Sequence, residues 1–270
     1  MSGRFDLIAV GDNCIDRLTG RMQADLVGGN AVNVAVQGAL AGLRTAYAGA
    51  VGPVGEADGD RVIAALIANG VDVGCVERDD RPTSVTELRV DDDGDRHIVA
   101  EAFGACEGWG PCARGMTRLE AARHVHIGWL NDGGATRRAL AAAGVPVSQD
   151  VSVNALTRRD IAADGLTLAF ASLPEAHADL AEARVAELVV GGATAAVVTL
   201  GRRGSLALVD GRMHRAKADP VEATDTTGAG DSYIAGFLAA RLTGADITEA
   251  MAAGHARAAR TCTHPGGFPQ

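Results

Sequence analysis

The stretch Thr224-Asp225-Thr226-Thr227-Gly228-Ala229-Gly230-Asp231 sets two glycines and an acid directly before an apolar pattern, Ile234, Phe237, Leu238 and Leu242 within Ser232 to Leu242. That helical spacing puts Gly228 to Gly230 at a first turn, where backbone N–H groups have no partner inside the helix. Small residues let a phosphate approach the main chain there, and the helix dipole favours negative charge. Asp231 would face the bound anion. A phosphate site does not need a carboxylate, but a reaction that takes a proton from a hydroxyl attacking phosphorus does. The same dipole is expected to hold this carboxylate at a low pKa and make it a weak base, which a loose phosphoryl-transfer transition state tolerates. Taken alone, the stretch fits an ordinary loop-to-helix junction equally well.

Two further stretches carry comparable chemistry. An apolar strand, Phe5 to Val10, ends at Gly11 and delivers Asp12, Asn13 and Asp16 within a few residues. Sites in parallel sheets lie beyond the carboxyl ends of strands, so these acids face a ligand or close an Asx turn, and Asp16 is the better ligand contact. Gly28-Gly29-Asn30 then precedes an alanine-rich helix running to Leu40, a second helix start that a ligand can approach closely or an ordinary Gly-Asn cap. The loop Gly128 to Asp132 holds Trp129, which lines a pocket or caps the core.

The elements around these loops alternate. Strands are expected at Thr45 to Ala50, His124 to Ile127, Val145 to Val151, Leu166 to Ala171 and Ala195 to Leu200, with helices at Asp60 to Asn69, Thr136 to Ala143 and Glu175 to Val190. Such alternation builds a parallel sheet. Ser205 to Val209 and Arg212 to Arg215 read as a hairpin after Gly201 to Gly204. The rhythm also breaks at Ser84 to Val90 and His97 to Ala102, which flank Asp91-Asp92-Asp93-Gly94-Asp95 and read as an antiparallel hairpin able to act as a lid. That acidic turn lacks the glycine and glutamate offsets of a calcium loop.

Composition bounds the rest. With 270 residues, 47% of them hydrophobic, and 35 glycines, the chain can bury a full core. A net charge of −9 argues against a nucleic-acid surface. Five scattered cysteines signal neither a disulfide frame nor a zinc site. No apolar run approaches membrane-spanning length, and a cytoplasmic protein is expected. Lys217 is the single lysine and sits in no glycine-rich loop, which excludes a Walker-type phosphate loop. Phosphate charge must then be offset by helix N-termini, arginines and a divalent metal.

With Gly28-Gly29-Asn30 near the front and Asp225 to Asp231 near the back, the chain resembles the ribokinase-like (PfkB) carbohydrate kinases over nearly its whole length. The resemblance implies a three-layer α/β/α sandwich with a mostly parallel central sheet and a small β-hairpin lid. This makes one domain over 1–270, with the lid drawn from about 12–28 and 83–103. It implies ATP as donor, magnesium, Asp231 as base, and an anion hole at Gly228, Ala229 and Gly230. Substrate positions map onto Asp16, Gly28, Gly29, Asn30 and Asn33, with Asp12 and Asn13 beside them. Nucleotide positions map onto Thr199, Gly201, Gly204, Thr226, His255 and Ala258. The family's Asn-x-x-Glu appears as Ser172-Leu173-Pro174-Glu175, so Glu175 organises magnesium only through water. Its Asp-x-Asn appears as Asp150-Val151-Ser152, with no role implied for Ser152. Some relatives hold potassium near the positions of Asp225 and Thr227. Gly11 to Asp16, Gly29 to Val36 and the tail Cys262 to Gln270 look like compact members that phosphorylate the 6-hydroxyl of fructosamines. Other acceptors (ribose, 2-keto-3-deoxygluconate, a hexose, adenosine) and a non-catalytic sugar-binding regulator remain alternatives. A homodimer through the lid is also expected, because an exposed two-stranded element is marginal alone.

Overall fold

The computed structural model describes residues 4–91 and 96–270. Thirteen strands are found among them: β1 Leu7–Val10, β2 Cys14–Gly20, β3 Ala24–Gly28, β4 Thr45–Val51, β5 Asp72–Arg78, β6 Val85–Val90, β7 Arg96–Ala102, β8 Val125–Ile127, β9 Val147–Asp150, β10 Leu168–Ser172, β11 Ala195–Thr199, β12 Ser205–Val209 and β13 Arg212–Ala216. The α-helices are α1 Asn30–Leu40, α2 Ala57–Ala68, α3 Ala113–Glu120, α4 Ala135–Ala142, α5 Ala181–Val190, α6 Ala229–Leu242 and α7 Ile247–Thr261.

Nine strands make one sheet in the order β13-β12-β11-β10-β9-β8-β1-β4-β5. Every pairing from β11 across to β5 is parallel, and only β12 is reversed, pairing antiparallel with both β11 and β13. Alternation along β1 shows how the layers form. Ile8 and Val10 point into the core shared with Leu119 of α3, Leu140 of α4 and Val185 of α5. Leu7 and Ala9 point into the core shared with α1, α6 and α7. A period of two along a strand buried on both faces thus gives the expected three-layer sandwich.

The hairpin at β6 and β7 is observed, but it is half of a four-stranded sheet in the order β3-β2-β6-β7. Here β2 and β3 occupy residues that the resemblance places in the lid, about 12–28, but for which the sequence pattern predicts no strands. Their alternation of charged and apolar residues is short and leaves several positions open to solvent, which weakens the periodic signal. The acidic turn at Asp92, Asp93, Gly94 and Asp95 lies outside the described residues. The helix expected from Glu175 to Val190 begins as a 3-10 segment, Glu175–Leu180, with His177 out of helical geometry, and becomes regular only in α5. The edge strand β5 and the short helix α3 carry no expectation from the sequence.

A buried arginine anchors the loop below β9. Arg137, on α4, is almost wholly enclosed and donates to Gln149 Oε1 and to the backbone oxygens of Arg159, Asp160 and Asp164. Its ion pair with Asp164 completes the set. A guanidinium placed there without these acceptors would cost several kcal/mol, so the network fixes the strand end that presents Asp150.

Candidate active site

The site forms where the carboxyl end of β1 meets the start of α1. Asp12 accepts hydrogen bonds from Asn30 N (2.8 Å), Ala31 N (3.1 Å) and Trp129 N (3.2 Å). Its carboxylate therefore caps α1 and ties the Trp129 loop to it. Asn13 is buried and donates to Tyr47 Oη at 2.9 Å and to Ala50 O at 2.6 Å. Of these two residues, expected beside the substrate, Asp12 is committed to the scaffold, and so is the Asn13 amide nitrogen, whereas Asn13 Oδ1 is buried without a hydrogen-bond partner. Asp16 is only half-buried and accepts from Cys14 Sγ at 3.2 Å. A Cβ on Gly28 would fall 2.7 Å from Asp16 Oδ2, so that glycine leaves room for the carboxylate. Gly29 has φ 106° and its Cβ would meet Asn13 Cα at 2.6 Å, which requires glycine on both counts.

From the opposite side comes α6. Gly228 is its N-cap at φ 71°, in van der Waals contact with Gly267, where a Cβ would lie 2.5 Å from the Gly267 Cα. Ala229 N–H closes onto Thr226 O at 3.2 Å, which engages one of the three donors expected for the anion hole. A Cβ on Gly230 would meet nothing within 4 Å, so that glycine is not required by packing.

Asp231 sits on the first turn of α6 and receives Asn30 Nδ2 at 2.6 Å on one oxygen and Asn33 Nδ2 at 2.7 Å on the other. Burial pushes its carboxyl well above the ordinary aspartate range. The Asn33 bond opposes this, while the charges of Asp150 and Asp12 add to it. The low pKa expected from the helix dipole is thus corrected: desolvation outweighs a dipole term worth about 1 kcal/mol.

Asp150, at the end of β9, stands in the sequence as the acid of the family's Asp-x-Asn but was given no role there. It accepts from Ser152 N at 2.9 Å and from the same Asn30 Nδ2 at 3.2 Å. Burial raises its pKa to about 6, against the bonds from Ser152 and Asn30. An acid closing a buried strand is the signal that could have found it.

Beyond the α6 N-terminus opens a cleft of about 650 Å³. Thr199, Gly201, Thr226, Ala229, Gly230, His255 and Ala258 line it, with Tyr233 and Glu175. Gly204 does not. It has φ 95° with its Cβ position 2.1 Å from Ala216 O, so it is a turn residue pressed against β13. His255 is buried, shares a 2.8 Å hydrogen bond with Ser205 Oγ, and meets the Tyr233 ring edge-on at 4.8 Å. Burial lowers its pKa, so it offers a flat neutral wall to the cleft.

Glu175 lies at the cleft mouth and accepts from Arg202 N at 3.0 Å and Nε at 3.3 Å. Those donors hold its pKa low. Among the described residues no group of three His, Cys, Asp or Glu side chains could hold a metal ion. One carboxylate shared with Arg202 fits magnesium carried on nucleotide phosphates and reached through water, not a protein cage. Ser152 Oγ accepts from Ser172 N at 2.7 Å, so the two positions that depart from the family's asparagines are tied to each other. Asp225 is filled by Thr227 N, Thr227 Oγ1 and Gly266 N, which makes it a clamp between the α6 loop and the C-terminal tail. Phe103 stacks on Trp129 at 4.7 Å, and Trp129 Nε1 donates to Asn154 O. The Trp129 ring is therefore fixed between the small sheet and the β9 loop.

A doubly wound sheet with an acid at a helix N-terminus, opening onto a nucleotide-sized cleft, defines a phosphotransferase of the ribokinase class. The chain belongs to the pfkB family of carbohydrate kinases, whose description residues 23–269 match, and it is an ATP-dependent carbohydrate kinase. It is similar to the fructoselysine 6-kinases of Shigella flexneri (32% identical) and Escherichia coli strain K12 (31%), each over 97% of this chain and 99% of the relative. The ribokinase of Arabidopsis thaliana, solved with ribose and ATP, matches with a TM-score of 0.84 and 22% identity over 99% of this chain and 96% of that one.

Proposed function

We propose that this kinase transfers the γ-phosphoryl group of ATP to the 6-hydroxyl of a fructosamine such as fructoselysine. The observation that carries the reading is the carboxylate of Asp231, held by two asparagine amides on the first turn of α6, directly after Ala229 and Gly230, which line the cleft. Similarity to the fructoselysine 6-kinases supports the acceptor.

In this reading ATP occupies the cleft, its base against His255 and Ala258 and its phosphates toward Thr226, Ala229 and Gly230. The sugar lies between Asp16, Gly28, Gly29, Asn30 and Asn33. Asp231 takes the proton of the acceptor hydroxyl as the new O–P bond forms and the bond from γ-phosphorus to the β,γ-bridging oxygen breaks, which releases ADP. Its raised pKa makes it a better base than an exposed aspartate. The α6 N–H groups stabilise charge on the γ-phosphoryl oxygens. Magnesium, when bound, neutralises phosphate charge. The small sheet formed by β2, β3, β6 and β7 closes over the sugar as a lid and excludes water. ATP supply calls for a cytoplasmic setting. A homodimer through the lid is favoured by Ile98 and Val99, exposed on its edge strand β7; light scattering at a monomer mass removes it.

The function is tested with a panel of acceptors under saturating ATP and magnesium, with ADP release as readout and the phosphate located on the product. A kcat/KM for fructoselysine at least tenfold above those for fructose, ribose and adenosine is expected. Preference for another acceptor replaces the substrate, and sugar binding without ADP release replaces the enzyme with a binder.

A further inference from the structure

Asn30 presents one side-chain nitrogen to two acids. Its Nδ2 lies 2.6 Å from Asp231 Oδ1 and 3.2 Å from Asp150 Oδ2, so those carboxylate oxygens are less than about 6 Å apart. An amide nitrogen has two hydrogens, so each acid can take one. Asp150 is itself held from behind by Ser152 N, on a strand end fixed through Gln149 and Arg137. Its surroundings supply no countercharge: Asn30 from α1, Ser152 from its own loop, Asp12 from the loop after β1 and Asp231 from α6 face it, and among the described residues Asp150 makes no ion pair.

We propose that Asp150 is a positioning residue for the phosphoryl transfer, aligning the Asn30 amide on Asp231 and keeping that acid basic by its own negative charge. This rests on the kinase reading above. The mechanism is electrostatic and local. With Asp150 ionised, a second negative charge on Asp231 is disfavoured, so Asp231 holds the abstracted proton more tightly. With Asp150 neutral, the bond from Asn30 remains but the charge is lost. Asp150 gives the site a base without a histidine or a metal-bound hydroxide. The two acids are coupled, so their titration belongs to the pair.

Asp150→Asn is the test, with Asp150→Glu as companion in case the amide variant folds poorly, and thermal unfolding of each as control. For Asp150→Asn the acidic limb of the kcat/KM profile moves to lower pH by about one unit, kcat at pH 8 falls about tenfold, and KM for ATP and sugar changes less than about threefold. Asp150→Glu retains most of the limb position. An unmoved limb overturns the proposal. So does a large rise in KM for a fructosamine and none for fructose, because Asp150 then contacts the acceptor directly. If the wild-type enzyme turns over no acceptor, the kinase reading fails by itself. The carboxyl ¹³C titration of Asp231 in wild type and Asp150→Asn still decides this inference: a curve shifted to lower pH in the variant supports it and an unshifted one ends it.

Discussion

Asn33 donates Nδ2 to Asp231 at 2.7 Å from a position where it is itself almost completely buried. The bond ties α1 to α6 at the point where chemistry is proposed, and it orients the carboxylate before any ligand arrives. Asp231→Asn keeps the shape and removes the base. Its kcat is expected to fall by roughly 10³-fold, with ATP and sugar affinities within about threefold by calorimetry. A near-normal kcat removes Asp231 from the mechanism.

Two glycines allow a contrast. A Cβ on Gly267 would sit 2.2 Å from Asn33 Oδ1, whereas one on Gly230 would meet nothing within 4 Å. Gly267→Ala must push Asn33 away from Asp231, so a loss of about 1–3 kcal/mol in unfolding free energy and a clear fall in kcat are expected together. Gly230→Ala costs no stability and gains up to about 1 kcal/mol of helix propensity, yet raises KM for ATP where the methyl meets phosphate. Equal melting temperatures for the two variants would contradict this.

Stability should depend on pH through the buried acids. Asp150, raised to about 6 from 3.8, binds its proton more tightly folded than unfolded. Its favourable contribution is complete below the unfolded value and is lost as pH rises through about 6. Removing the charge with Asp150→Asn should raise unfolding free energy at pH 8 by on the order of 1–2 kcal/mol and change it little at pH 4, as read by urea denaturation. A gain confined to low pH would reverse the sign and refute the cause.

The cleft can be filled from α7. Ala258 lines it beside His255. Ala258→Trp should raise KM for ATP at least tenfold while leaving sugar binding, followed by calorimetry without nucleotide, near wild type. Parallel losses of both would show that the cleft is not separate from the acceptor site.

Much of the scaffold was legible because Leu7 to Val10, Thr45 to Ala50 and Ala195 to Thr199 are short, nearly continuous apolar runs divided by helical patterns. The strands β2 and β3 were not, because charged and apolar residues share their short spans. In the site, Asp231 and the glycines around it stood out by type and spacing. What spacing could not supply was environment: Asp12 is consumed by capping α1, Gly204 by a turn, and Asp150 matters only because Asn30 reaches it from 120 residues away. The reversal of the Asp231 pKa has the same origin, since burial is a property of the packed molecule.

The bond from Asp12 to the start of α1 has a mechanical meaning. Residues 13–29, which contain β2 and β3, leave and re-enter the large body through a neck whose two sides are stapled together by Asp12 and Asn30. The strands β2 and β3 are rooted in this closed ring, while β6 and β7 join the large body through their own connections to β5 and α3. Gly11 at φ 136° and Gly29 at φ 106° stand at the ring's two ends, both in backbone conformations that favour glycine. The staple thus fixes the first turn of α1, from which Asn30 and Asn33 reach across to hold Asp231.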